Sequence, residues 1–109
     1  MNELKLAILN QLSKGRNKAI KGNLIAKRLG LRNDRGIRLA IRELIRDGIP
    51  VASSVKPPLG FFIAETKEEA EEYKAVLKGR LVEDAYRRRD FKRAARKLIR
   101  PEQLVLIRA

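Results

Sequence analysis

The chain has 109 residues, 26 of them Lys or Arg against 13 Asp or Glu, for a net charge of +13 and a pI near 10.8. That length suits one domain with a modest core, and that charge favours a polyanionic partner, nucleic acid ahead of an anionic membrane surface. With no Cys and no His, the sequence excludes Cys/His zinc sites, cysteine or serine–histidine nucleophilic pairs and imidazole acid–base chemistry.

The glycines stand one at a time, so no phosphate-cradling loop is present. The dense carboxylates Glu68, Glu69, Glu71 and Glu72 read as a solvated face at a helix start. These features predict a binding protein, not an enzyme, with no metal and no cofactor. No stretch approaches the roughly 18 apolar residues of a membrane span. The opening "MNELKLAILNQLSKG" shows an acid and helical periodicity where a signal peptide has a basic start and an apolar run. The expectation is a cytoplasmic, nucleoid-associated protein without a membrane partner.

In chain order, Leu4, Ala7, Ile8 and Leu12 recur at helical spacing over residues 3–13, with Lys14 and Gly15 ending the helix. "RNKAIKG" follows as a basic loop, in which Ala19 and Ile20 are long enough for one short extended pairing. Asn23 predicts the cap of a short second helix over 24–29, stopped by Gly30. Asn33 or Asp34 caps a third helix that runs to about Asp47 and ends at Gly48. "PVASSV" and "FFIAE", joined by the turn "KPPLG", predict a hairpin over 50–64. In it, Phe61 and Ile63 face the core with Val51 and Val55. Thr66 with Glu69 forms a capping box that opens a helical segment from 67 to about 98, with Gly79 as its weak point. Pro101 interrupts before an apolar tail. The fold class expected is mainly α with a small β-hairpin (α+β). Residues 1–65 form the first domain, 66–100 a long C-terminal helical extension and 101–109 the tail.

The third helix carries the strongest functional signal. At about 100° per residue, Ile37, Ala40, Ile41, Leu44 and Ile45 share one side. Arg35, Arg38, Arg42 and Arg46 form a stripe almost opposite, with Glu43 and Asp47 off to one flank. An ordinary solvated face mixes signs; four arginines without an acid among them repel one another until a partner neutralises them. Arginine's planar fork suits phosphate and guanine better than lysine's point charge does.

"NLIAKRLGLRNDRGIRLAIRELIRDGIPVASS…GFFIA" resembles a winged helix-turn-helix domain. It is similar to the DNA-binding domain of the biotin repressor and to small winged-helix proteins of phages and prophages. The likeness covers roughly residues 4–65 and rests on Ile25–Ala26, the Leu29–Gly30–Leu31 turn, "IRELIRDGIP" and "GFFIA". Gly30 to Ile37 spans seven residues, about one more than the tightest spacing of such motifs, which predicts a longer turn. The resemblance implies double-stranded DNA as partner, with Arg32, Asn33, Arg35, Arg38 and Arg42 facing the major groove. Ser53, Ser54 and Lys56 would lie on or beside the wing, and Arg16, Lys18 and Lys21 could hold phosphates.

Beyond residue 66, acids cluster early ("KEEAEEY") and bases late ("YRRRDFKRAARKLIR"), which complements the helix dipole near each end. The basic block could also bind phosphates. Two copies could pair antiparallel as a homodimer, with Glu68–Glu72 facing Arg87–Lys97. Ala70, Tyr73, Leu77 and Leu81 offer one seam; Phe91, Ala94, Ala95, Leu98 and Ile99 offer another. A break at Arg87–Asp90 could instead fold the segment back as a hairpin. In the tail, Gln103, Leu104, Leu106 and Ile107 resemble the short peptide by which replication and repair proteins bind the sliding clamp, with Ile107 where an aromatic is usual. The function expected is DNA binding in transcription regulation or in phage or plasmid replication. The alternative is an RNA-binding or ribosome-associated structural protein.

Overall fold

The computed structural model describes residues 2–96. It is mainly helical with one small antiparallel sheet: α1 (Glu3–Gln11), a 3-10 turn (Arg16–Lys18), α2 (Gly22–Arg28), α3 (Arg35–Arg46), β1 (Val51–Ser54), β2 (Gly60–Ile63) and α4 (Lys67–Ala95). Three helices followed by a two-stranded hairpin are compatible with a winged helix. The chain divides into two units, residues 1–75 and residues 76–109.

In the first unit, Ile8 and Leu12 of the α1 region, Ile25 and Ala26 of α2, and Ile37, Ala40, Ile41 and Leu44 of α3 close one core with Val51 of β1. Ile20, Leu29, Ile49, Phe61 and Ile63 pack against it, half-buried. The apolar stripe of α3 is therefore its packing face, as its periodicity predicts. Ile45 departs from the expectation and stays 44% exposed. It sits about 90° from the centre of that stripe, at an edge the other helices do not reach. Leu4 is likewise exposed. Val55 is exposed in the hairpin turn and does not join the core.

Local chemistry sets most of the helix ends. The Asn2 side chain accepts from the Lys5 amide at 2.8 Å, an N-cap for α1. That helix stops at Gln11, short of Gly15, because Leu12 turns extended. The Ser13 carbonyl then accepts from the Ile63 amide, and the Gly15 amide donates to the Ile63 carbonyl, each at 2.9 Å. Helix α2 begins at Gly22, so Asn23 lies inside its first turn and Lys21 holds the cap position. Both α2 and α3 end in the paired bonds of a Schellman motif. Leu31 donates to Ala26 and Gly30 to Lys27; Ile49 donates to Leu44 and Gly48 to Ile45.

The hairpin pairs Val51 with Ile63, Ala52 with Phe62, Ser53 with Phe61 and Ser54 with Gly60. The short pairing expected at Ala19–Ile20 forms at Ile20. It exchanges two backbone bonds with Phe61, at 2.8 and 2.9 Å, and anchors the return strand on its outer edge. Helix α4 is continuous through Gly79 and through Arg87–Asp90, so the fold-back hairpin does not form. The tail residues Gln103, Leu104, Leu106 and Ile107, and the seam residues Leu98 and Ile99, lie outside the described residues. No helix among those described is long and apolar enough to cross a membrane.

Candidate nucleic-acid interface

The interface is built on α3, whose buried side fixes the direction of its exposed one. With Ile37 and Leu44 fully enclosed, rotation of the helix would expose apolar surface at about 25 cal/mol per Å². Arg35, Arg38, Arg42 and Arg46 are thereby held outward, all exposed. Leu39 lies among them, 56% exposed, flanked in sequence by Arg35 and Arg42 at helical neighbour spacing.

The stripe is not free of acid, contrary to its appearance in sequence. The Asp34 carboxylate accepts from Arg38 Nε at 3.0 Å, an i,i+4 pair. Asp34 makes no capping bond; the Asn33 side chain accepts from the Arg35 amide at 3.0 Å instead. Of the other two acids, Glu43 and Asp47 both face Lys5 of α1. Arg35, Arg42 and Arg46 have no ion-pair partner among the described residues.

The remaining predicted residues divide. Arg32 and Asn33 are exposed in the connection from Leu29 to Asp34, next to the first turn of α3. Lys56 is exposed in the hairpin turn. Ser53 and Ser54 are half-buried, and the Ser54 hydroxyl donates to the Lys56 carbonyl and accepts from its amide. Ser54 thus closes the turn locally. Arg16 is half-buried on the 3-10 turn, and its amide donates to Glu69 at 2.8 Å. Lys18 and Lys21 are exposed. Lys21 lines a shallow apolar depression with Ile20, Leu24 and Arg28 on one side and Pro57, Pro58 and Leu59 of the hairpin turn on the other. The structure therefore brings Lys21, Arg28 and the hairpin turn to one place.

Two residues escaped the sequence reading. Asp34 as the partner of Arg38 was readable from i,i+4 spacing, but its place before the helix suggests a cap. Arg28, whose guanidinium donates to Gln11 at 3.2 Å, lies beside the hairpin turn only through the tertiary fold. Among the described residues, no group of three or more His, Cys, Asp or Glu is placed to hold a metal ion.

In the second unit, the described part of α4 exposes Leu77, Leu81, Val82, Tyr86 and Phe91. The Arg89 guanidinium lies 4.9 Å from the centre of the Tyr86 ring, within cation–π reach.

Comparison with protein-family models, with curated proteins and with solved structures finds no match to this chain.

Proposed function

We propose that the protein binds double-stranded DNA through a winged helix formed by its first unit, with α3 in the major groove and the β1–β2 hairpin as the wing. The observation that carries this reading is the two-sidedness of α3. Its aliphatic side is sealed in the core, while Arg35, Arg42 and Arg46 stand exposed and unpaired among the described residues. Arg32 and Asn33 extend that surface toward the start of the helix, where recognition helices place base contacts. Lys18, Lys21 and Lys56 add phosphate contacts at its edges. The role is binding, in transcription regulation or in phage or plasmid replication, on the nucleoid of the cytoplasm.

Pairing of two copies through α4 belongs to the same proposal, supported by Leu77, Leu81 and Phe91 standing exposed in the second unit. A sliding clamp as partner of Gln103, Leu104, Leu106 and Ile107 rests on the sequence alone.

A second reading has its own support. Tyr86 with Arg89 against its ring, and Phe91 beside Lys92, join exposed aromatics to bases, the surface on which unstacked RNA bases are held. Fluorescence anisotropy with random duplex DNA and matched RNA, across a salt series, separates the two. DNA binding through about six to ten phosphates gives a slope of log K on log salt near −5 to −9. Equal or tighter binding to RNA transfers the proposal to the second reading.

A further inference from the structure

Asp34 is an acid at the edge of a surface read as binding a polyanion, and beyond the favourable place of any carboxylate at a helix start no capping bond of its side chain accounts for it. It stands at the N-cap position of α3, but its side chain makes no capping bond; the neighbouring Asn33 side chain accepts from the Arg35 amide. Its pair with Arg38 is solvent-facing, with the Arg38 side chain 68% exposed, so it contributes little to stability. The carboxylate itself is held in place. Its side chain is only 24% exposed, and it lies against Gly22 of α2, where an added Cβ would meet Asp34 Oδ2 at 3.3 Å and Asp34 Cβ at 3.4 Å. A fixed acid thus grips a projecting guanidinium.

The atom it grips decides the consequence. Arg38 gives Nε to Asp34, which leaves Nη1 and Nη2 as the leading edge of the fork. Those two donors match N7 and O6 of one guanine in the major groove, the bidentate pairing by which arginine reads that base. An unheld arginine folds readily onto the nearest phosphate, whereas in one paired to a carboxylate that attraction is offset by the carboxylate's own repulsion from the backbone. We infer that Asp34 is a positioning residue that sets specificity, holding Arg38 for a guanine. The inference rests on the reading of α3 as a groove helix.

The test is selection of binding sites from a duplex library with a randomised centre, by the full chain and by four variants. The wild-type protein enriches guanine at one position. Asp34→Ala lowers that preference about tenfold at that position alone, while binding to unselected duplex stays equal or strengthens with one negative charge gone. Arg38→Ala erases the same preference, and adding Asp34→Ala to it changes nothing more, the mark of two residues acting as one. Asp34→Asn, which keeps the side chain's volume, guards against a packing artefact and also weakens the preference. Unchanged site selection by Asp34→Ala overturns the inference and leaves the groove reading standing, as does a loss spread evenly over all positions. Failure of the wild-type protein to enrich any sequence overturns the groove reading, and the inference with it.

Discussion

Lys5 of α1 reaches Asp47, the residue that caps the end of α3, at 2.7 Å, and Glu43 one turn earlier at 3.7 Å. The acid of the body of α3 and the acid at its C-cap thus both face the neighbouring helix, and Arg35, Arg42 and Arg46 keep their charge toward solvent. The side-chain bond to Asp47, aided by the nearby charges of Asp47 and Glu43, holds the Lys5 ammonium above its ordinary value of 10.5, against the opposing pull of desolvation. A raised ammonium stabilises the fold fully below its unfolded value, and that contribution disappears as pH rises through the folded one. Lys5→Met is therefore expected to lower the melting temperature at pH 7, and the gap from wild type closes in strongly alkaline buffer. Thermal melts at the two pH values check this.

Glu69 carries the opposite dependence. Its carboxylate accepts from the Glu65 amide at 2.9 Å and the Arg16 amide at 2.8 Å, and these bonds hold it below its ordinary 4.5. A depressed carboxylate stabilises above the unfolded value and loses that contribution as pH falls through the folded one. Glu69→Gln is expected to melt lower than wild type at pH 7. The difference narrows as pH falls from 4.5 through the lowered folded value, below which wild-type Glu69 is itself protonated.

Gly60 stands with a φ of +132° where β2 begins, and a Cβ there would lie 2.2 Å from the Ile20 carbonyl carbon. The backbone bonds between Ile20 and Phe61 need that approach. Gly60→Ala forces the two segments apart and is expected to cost about 2–3 kcal/mol or more, read as a lower denaturation midpoint.

The two faces of α3 are separable by substitution. Leu44→Ala empties a fully buried site and is expected to cost about 2–5 kcal/mol, with DNA affinity reduced only in proportion to the unfolded fraction. Leu39→Glu, on the exposed side, changes stability by no more than about 0.5 kcal/mol. It weakens duplex binding by placing a carboxylate against phosphate between Arg35 and Arg42. Chemical denaturation and anisotropy on both variants decide whether the faces divide in this way.

What the sequence made legible was local in cause. The aliphatic spacing of Ile37, Ala40, Ile41 and Leu44 fixed the buried side of α3, and the hairpin followed from its prolines and glycine. The pairing at Ile20 was also readable, as a short extended stretch before a cap. What escaped depended on partners distant in the chain. The end of α1 moved because Ser13 and Gly15 pair with Ile63. Asn23 lost its capping role because the Ile20–Phe61 pairing delivers the chain into α2 at Lys21. Thr66 accepts from Glu69 as a capping box requires. The return bond of Glu69 goes instead to Glu65, with a second to Arg16, so Glu69 is half-buried and not part of a solvated acidic face. The Asp34–Arg38 pair is local, yet two adjacent residues competed for the cap, and spacing alone does not say which one was left for Arg38.

The most direct measurement is the salt dependence of duplex DNA binding by wild type and by an Arg35→Ala, Arg42→Ala, Arg46→Ala triple variant, after circular dichroism has shown equal folding. The wild type is expected to bind with a steep negative slope of log K on log salt. Each arginine that contacts phosphate removes about one unit of that slope when replaced, so the triple variant should bind far more weakly and with a slope shallower by about one to three, according to how many of the three reach phosphate as well as bases. A folded triple variant with wild-type affinity and slope would contradict the assignment of α3 to the groove.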